Sequence, residues 1–259
     1  MKDAIMEHRA SGGLMRAFEV ANVISENAAT QTLLLKGRLE EALPGQFVMV
    51  WLPDVGEKPY SIAAAVPLAL TISSVGPVSS ALVQLQPGER VWIRGPLGTG
   101  FQLTGEKHLL VGGGYGAAPL AFLAKDALRQ NGQVTVCLGA KSASDLLLER
   151  RLEEMGCQLL VATEDGSRGF QGLVTPVVEQ AIVDTQPDCV YACGPTGMLL
   201  ALAKLAKRYQ LPAQLSFEGL MRCGVGLCGS CELPEEICLQ VGLPTGWLTC
   251  HDGPVAYLS

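Results

Sequence analysis

Short apolar or alternating runs recur through the first third of the chain, at residues 18–24, 32–35, 46–52, 68–75 and 90–94, each closed off by proline or glycine. Runs of that length and punctuation predict strands, and several in close succession predict a small antiparallel barrel or sandwich. After Gly105 the rhythm changes. A strand at 109–111 leads into the turn Gly112-Gly-Gly114-Tyr-Gly116, and an Ala- and Leu-rich helix runs on to about Leu128. Strands at 134–138, 158–162 and 189–192 then alternate with helical stretches near 146–155, 174–182 and 198–209, which is the pattern of a parallel α/β sheet. From Leu220 onward the chain turns to Cys, Gly and Pro without a helical period, so this segment is expected to be organised by ligands more than by a core. The expected division is a tail at 1–15, a barrel domain at 16–104, an α/β domain at 105–219 and a ligand-bound segment at 220–259.

The composition narrows what such a chain does. At 259 residues it is long enough for two cores, and with 48% hydrophobic and 17% charged residues its surface is thinly charged, as surfaces that bury against a partner often are. A net charge of −6 without clustered Lys and Arg excludes a nucleic-acid partner. No apolar run is long enough to span a bilayer and the start lacks the apolar core of a signal peptide, so a cytoplasmic location is expected. Nine cysteines in that reducing compartment point to cluster or metal ligation rather than disulfides.

The spacing Cys223-Gly-Val-Gly-Leu-Cys228-Gly-Ser-Cys231, with Cys250 after a gap, is the C-x4-C-x2-C…C arrangement in which four thiolates hold a [2Fe–2S] cluster. Gly224, Gly226 and Gly229 suit a loop that needs positive φ and backbone N–H groups aimed at sulfur. Structural zinc is the competing reading, although zinc sites usually pair two short knuckles. Cys238 competes with Cys250 for the fourth place, and Cys250 is preferred because it sits in the sharp Cys-His-Asp-Gly-Pro turn. Cys137, Cys157 and Cys189 fall on or beside strands and read as inert buried thiols.

Three loops at strand ends are candidates for nucleotide binding. Gly112, Gly113, Gly114 and Gly116 offer backbone amides to a pyrophosphate, although tight packing alone would also use them. Cys193-Gly194-Pro195-Thr-Gly-Met198 occupies the equivalent end of a later strand, and Thr163-Glu-Asp165-Gly-Ser167 offers hydroxyls and carboxylates to a ribose or equally forms a solvated turn. The acidic residue of a standard dinucleotide fold is missing at 139–141. In the barrel, Lys58-Pro59-Tyr60-Ser61-Ile62 gathers a cation, a ring and a hydroxyl at a strand start, with Lys58 and Tyr60 on one side by strand alternation.

These signals, in this order, resemble the ferredoxin-NADP reductase superfamily, and most closely the electron-transfer subunits of type B dihydroorotate dehydrogenases, over residues 17–255. The resemblance implies FAD binding by Lys58, Tyr60 and Ser61, where this chain carries Lys for the family's Arg, and by Gly76, Ser79 and Ser80. It implies a nicotinamide site formed by the loops at 112–116, 163–166 and 193–198, with Cys193 beside the nicotinamide. Phe217-Glu218 and Met221 through Cys231, with Cys250-His-Asp252-Gly-Pro254, are similar to the family's cluster segment. The implied function is electron transfer between NAD(H) and an FMN-containing partner subunit through FAD and the cluster, in pyrimidine biosynthesis, within a heterotetramer. Lys141 and Arg168 would each suit a 2′-phosphate, yet no paired Ser/Arg signature appears, and the family resemblance favours NADH. A reductase module of another complex, such as a sulfide dehydrogenase, hydrogenase or sulfite reductase, has the same chemistry. A flavin-free, cluster-based redox sensor is the reading from a different class.

Overall fold

The computed structural model describes residues 14–258. The expected tail therefore lies outside the described residues, apart from Leu14 and Met15. The first half is built from β1 (Arg16–Asn27), β2 (Thr30–Lys36), β3 (Phe47–Leu52), β4 (Gly56–Ala65), β5 (Leu68–Ser73) and β6 (Arg90–Leu97), with the short helix α1 (Pro77–Leu82) between the last two strands. The six strands close into an antiparallel barrel in the order β1-β2-β5-β4-β3-β6. Closure leaves no open edge, and the inward residues of alternating strands fill the centre. Leu33, Leu70 and Ile93 are fully buried there, and truncating any one to Ala would cost about 2–5 kcal/mol.

The second half contains β7 (Lys107–Gly113), α2 (Leu120–Arg129), β8 (Gln133–Ala140), α3 (Glu149–Glu154), β9 (Gln158–Thr163), β10 (Phe170–Gln171), α4 (Val174–Thr185), β11 (Cys189–Cys193), α5 (Thr196–Tyr209), β12 (Ala213–Ser216), α6 (Glu235–Val241) and β13 (Val255–Leu258). A seven-stranded sheet runs β10-β9-β8-β7-β11-β12-β13. Apolar residues fill both of its faces. Leu110 and Leu138 pack with the Leu120, Leu123 and Ala124 side of α2, while Val111 and Ala192 pack with α4 and α5.

The six strands within residues 105–219 pair in parallel, as expected for that domain. The last segment departs from expectation, because its β13 pairs antiparallel with β12, Ser216 opposite Val255 and Ala213 opposite Leu258. The last segment therefore returns to the sheet and is not held by ligands alone. It also contains a helix, α6, where no helical period is legible. Seven residues give less than two full turns of pattern, and the ends are set locally instead. Pro234 precedes α6, Glu235 and Glu236 complement the dipole in its first turn, and Gly242 at φ 74° stops it. Cys238 and Val241 turn inward to the core. The stretch expected to be helical at 146–155 narrows to α3, preceded by a single 3-10 turn at Ala143–Asp145.

Candidate functional site

A cleft of about 480 Å³ opens between the barrel and the C-terminal ends of the sheet strands. Its barrel wall is Lys58, Pro59, Tyr60 and Ser61 on β4 and Thr71 and Ser73 on β5, with Gly76 to Ser79 at the start of α1. Its sheet wall is Tyr115 and Gly116 after β7, Cys193 at the end of β11, and Ser216 to Met221 beyond β12. Pairing explains the barrel wall. Val48 faces Tyr60, and Phe47 faces Ser61, so ring and hydroxyl leave β4 on opposite sides yet both reach the cleft. Burial pushes the Tyr60 phenol up to about 12, so the ring stays neutral at physiological pH.

Glycine brings the two sheet loops together. A Cβ at Gly113 would meet Met198 Sδ and Pro195 Cδ, both at 2.8 Å, and one at Gly116 would meet the Cys193 carbonyl oxygen at 2.6 Å. Gly194 would likewise strike the Gly113 backbone. The residues of both motifs are thus spent partly on packing the loops against each other. Gly114 and Gly76 differ, because a Cβ at either would meet nothing within 4 Å. There is open space beside both, and Gly76 lines the cleft. Helix α2 begins only at Leu120, after a 3-10 turn at Gly114–Ala117.

Some predicted residues have structural duties. Ser79 Oγ accepts hydrogen bonds from Val75 N and Gly76 N, both at 2.9 Å, and closes the turn into α1. Ser80 is exposed, pairs with Ser74 at 2.8 Å and does not line the cleft. Ile62 is fully buried in the barrel core. Thr163 is buried, and its hydroxyl is tied to the Arg168 backbone, accepting from N at 2.9 Å and donating to O at 2.8 Å. Asp165 is exposed and accepts from Ser167 N and Oγ, which holds its carboxyl below the usual range.

Two cleft residues lie within the quoted motifs but carry no role from pattern alone. Tyr115 OH donates to Glu218 Oε2 at 3.3 Å, spanning 103 residues. Burial raises the Glu218 carboxyl, with the Tyr115 hydrogen bond opposing. Cys193 is 4% exposed, and burial, then the charge of Glu218, push its thiol up to about 12. It is a neutral thiol and no ready nucleophile. The sequence marks Glu218 through the Phe217-Glu218 step of the cluster segment, but not its pairing with Tyr115, which is a long-range contact.

The cysteine segment follows directly on the cleft-lining residues Leu220 and Met221. Phe47, Met49, Leu97, Met221, Cys231 and Cys250 form one apolar cluster, so the cysteine loop packs on the outer face of β3 and β6. Gly224, Gly226 and Gly229 hold φ of 72°, 79° and 70°. These turns aim amides at sulfur: Val225 N and Leu227 N point to Cys223 Sγ at 3.5 and 3.3 Å, Gly226 N to Cys250 Sγ at 3.2 Å, and Cys250 N to Cys231 Sγ at 3.4 Å. Hydrogen bonding with the side chain and backbone of Ser230 brings the exposed Cys228 thiol down to about 6, whereas burial pushes the Cys250 thiol up to about 12. Among the described residues no three His, Cys, Asp or Glu side chains gather as ligands of a single ion. Cys223 interacts with Cys228 and Cys231 with Cys250, and Cys250 also interacts with Cys223. Cys238 is buried away from them, its thiol donating to the Leu233 carbonyl at 3.6 Å.

Comparison with known proteins places this geometry. Residues 110–204 match the oxidoreductase NAD-binding domain. A protein of Methanopyrus kandleri, named "Probable dihydroorotate dehydrogenase B (NAD(+)), electron transfer subunit", is 39% identical over 87% of this chain and 84% of its own length. One of the same name from Thermococcus kodakarensis is 41% identical over 83% of this chain and 84% of its own. This chain belongs to the family of dihydroorotate dehydrogenase B electron transfer subunits. The fold agrees: a chain from the structure of an NADH-dependent reduced ferredoxin-NADP oxidoreductase superposes with a TM-score of 0.80 at 27% identity, covering 95% of this chain and 89% of that one. Among the described residues no helix is long and apolar enough to cross a membrane.

Proposed function

We propose that this chain passes electrons between NAD(H) and a catalytic partner subunit, with FAD in the cleft and a [2Fe–2S] cluster on Cys223, Cys228, Cys231 and Cys250. The observation that carries the reading is the shared wall. Residues 217–221 line the cleft on one side and lead directly into the cysteine loop on the other, so a ligand in the cleft and one on the thiols would be neighbours.

The residues fit both groups. Gly76 leaves open backbone, Tyr60 offers a ring and Ser61 a hydroxyl, and Lys58 supplies a cation for phosphate, as a point charge without the fork of an arginine. For the cluster, four thiols supply two thiolates per iron, and the amides at Val225, Gly226, Leu227 and Cys250 stabilise the sulfur charge. Buried Cys250 needs a metal's charge to give up its proton. When bound, FAD converts two-electron nicotinamide chemistry to single electrons, which the cluster carries onward.

The chain's own work is positioning. Tyr115 and Glu218 close the sheet side of the cleft, and Cys193 presents a neutral, buried edge that excludes water from the nicotinamide face. The open backbone at Gly114 is the place for a pyrophosphate, flanked by the loop at 193–198. The partner is the FMN-containing dihydroorotate dehydrogenase subunit, in a cytoplasmic heterotetramer that serves pyrimidine biosynthesis. Co-expression tests this. A complex of the two chains that oxidises dihydroorotate with NAD⁺, where the partner alone does not, is the expected result. Copurification with a sulfide dehydrogenase, hydrogenase or sulfite reductase subunit instead would move the chain to another complex.

A further inference from the structure

The C-terminal ends of β8 and β9 form a second polar region, outside the cleft. The chain leaves β7 towards β8 and β9 on one side and later adds β11 on the other. The strand order therefore reverses beside β7, where dinucleotides lie across open α/β sheets. A nicotinamide in the cleft at Cys193, with its pyrophosphate at Gly114, leaves the adenosine half to extend over β8 and β9.

That surface is knitted from two loops. Glu164 N and Asp165 N donate to the Ala140 and Lys141 carbonyls, each at 3.1 Å, and Ala143 N donates to Ser167 Oγ at 2.8 Å. The strand end at 139–141 has no carboxylate to grip a ribose 2′-hydroxyl, so selectivity has to arise elsewhere. Arg168 is fixed at its root by Thr163 Oγ1, and its guanidinium Nε and Nη2 both donate to Glu149 Oε1, at 2.9 and 2.6 Å. Glu149 stands in the first turn of α3 with its side chain only a quarter exposed, and Glu153 one turn on adds to the negative field at the guanidinium.

We propose that Glu149 sets the nucleotide preference of this chain: by holding Arg168 it occupies the cation that a 2′-phosphate needs and places a carboxylate beside it, so NADH is taken over NADPH. An exposed ion pair is weak in itself. Its effect here comes from repulsion of a dianion, together with the loss of a charge-assisted, bidentate contact. The inference rests on the NAD(H) reading of the cleft, and it makes Glu149 a specificity-determining residue.

The test compares wild type, Glu149→Gln and the double variant Glu149→Gln/Arg168→Gln as FAD-loaded protein, reading kcat/KM for NADPH over NADH and, by calorimetry, the affinity for 2′,5′-ADP relative to 5′-AMP. The inference expects both ratios to rise about tenfold or more in Glu149→Gln and to fall back in the double variant, keeping only the part owed to the removed repulsion. Unchanged ratios in Glu149→Gln, or a gain undiminished by loss of Arg168, would overturn it. A wild type that oxidises neither nucleotide would sink the functional reading instead, and the calorimetric ratios would still decide the role of Glu149.

Discussion

The same residue behaves in opposite ways in the sheet and in the loop beyond it. Cys137, Cys157 and Cys189 sit in strands or against them, and burial pushes their thiols up to about 12, 11 and 11. They pack as small apolar groups. In the loop, Cys223 and Cys228 hydrogen-bond with backbone amides and the Ser230 hydroxyl and their thiols fall below the usual range against burial, while the buried Cys250 rises to about 12 like the sheet thiols. The sheet would keep its shape with other small residues at its cysteines, whereas the loop is arranged around its sulfurs. What separates the two is the direction of the backbone amides: strand amides are used by neighbouring strands, and glycine turns release theirs to sulfur.

Substituting a loop cysteine should have the largest effect. Cys231→Ser is expected to lose bound iron and the cluster's visible absorbance while FAD binding persists, read by iron analysis and by flavin content; full iron retention would end the four-thiolate assignment. Cys137→Ser sharpens the other side. A hydroxyl placed in that apolar site should cost about 1–3 kcal/mol in urea unfolding with iron content unchanged. Gly226→Ala comes next, because φ 79° is unfavourable to a side chain and its Cβ would meet His251 at 2.9 Å. Roughly 1–2 kcal/mol of stability should go with it, together with slower cluster assembly on reconstitution.

The smallest effect tests the sheet alone. His108 is buried, with Nδ1 3.3 Å from the Tyr191 hydroxyl, and burial lowers its pKa below 6.5 against the opposing charge of Asp188. Its neutral form is the one the fold accepts. Above pH 6.5 this costs nothing, since the unfolded chain is neutral there too. As pH falls through 6.5 the unfolded chain takes the proton first, so stability declines until folded His108 itself titrates. Unfolding midpoints at about pH 7.5 and about pH 5.5 should differ less in His108→Gln than in wild type, and an equal difference in both would assign the decline to other groups.

How much of this is legible in the sequence follows the range of the interactions. The barrel strands announce themselves by alternation and punctuation, and the sheet by its strand, turn and helix rhythm. Cysteine spacing finds the loop because ligand geometry is local. β13 and α6 escape for physical reasons, the first because pairing with β12 needs a partner some forty residues away, the second because it is too short to show a period. The meeting of Tyr115 with Glu218, and the packing of Met221 and the cysteines on β3 and β6, are products of the tertiary fold. The glycine motif at 112–116 is visible, but its division between loop packing and open backbone emerges only in three dimensions.

The central claim is that a flavin in the cleft and a cluster on the loop form one electron path fed by NADH. Anaerobic titration of the purified protein with NADH, followed by absorbance across the flavin and iron–sulfur bands and by EPR, tests it most directly. Bleaching of the flavin bands together with a rhombic [2Fe–2S] signal is the expected result. A protein with neither flavin bands nor a response to NADH would contradict it.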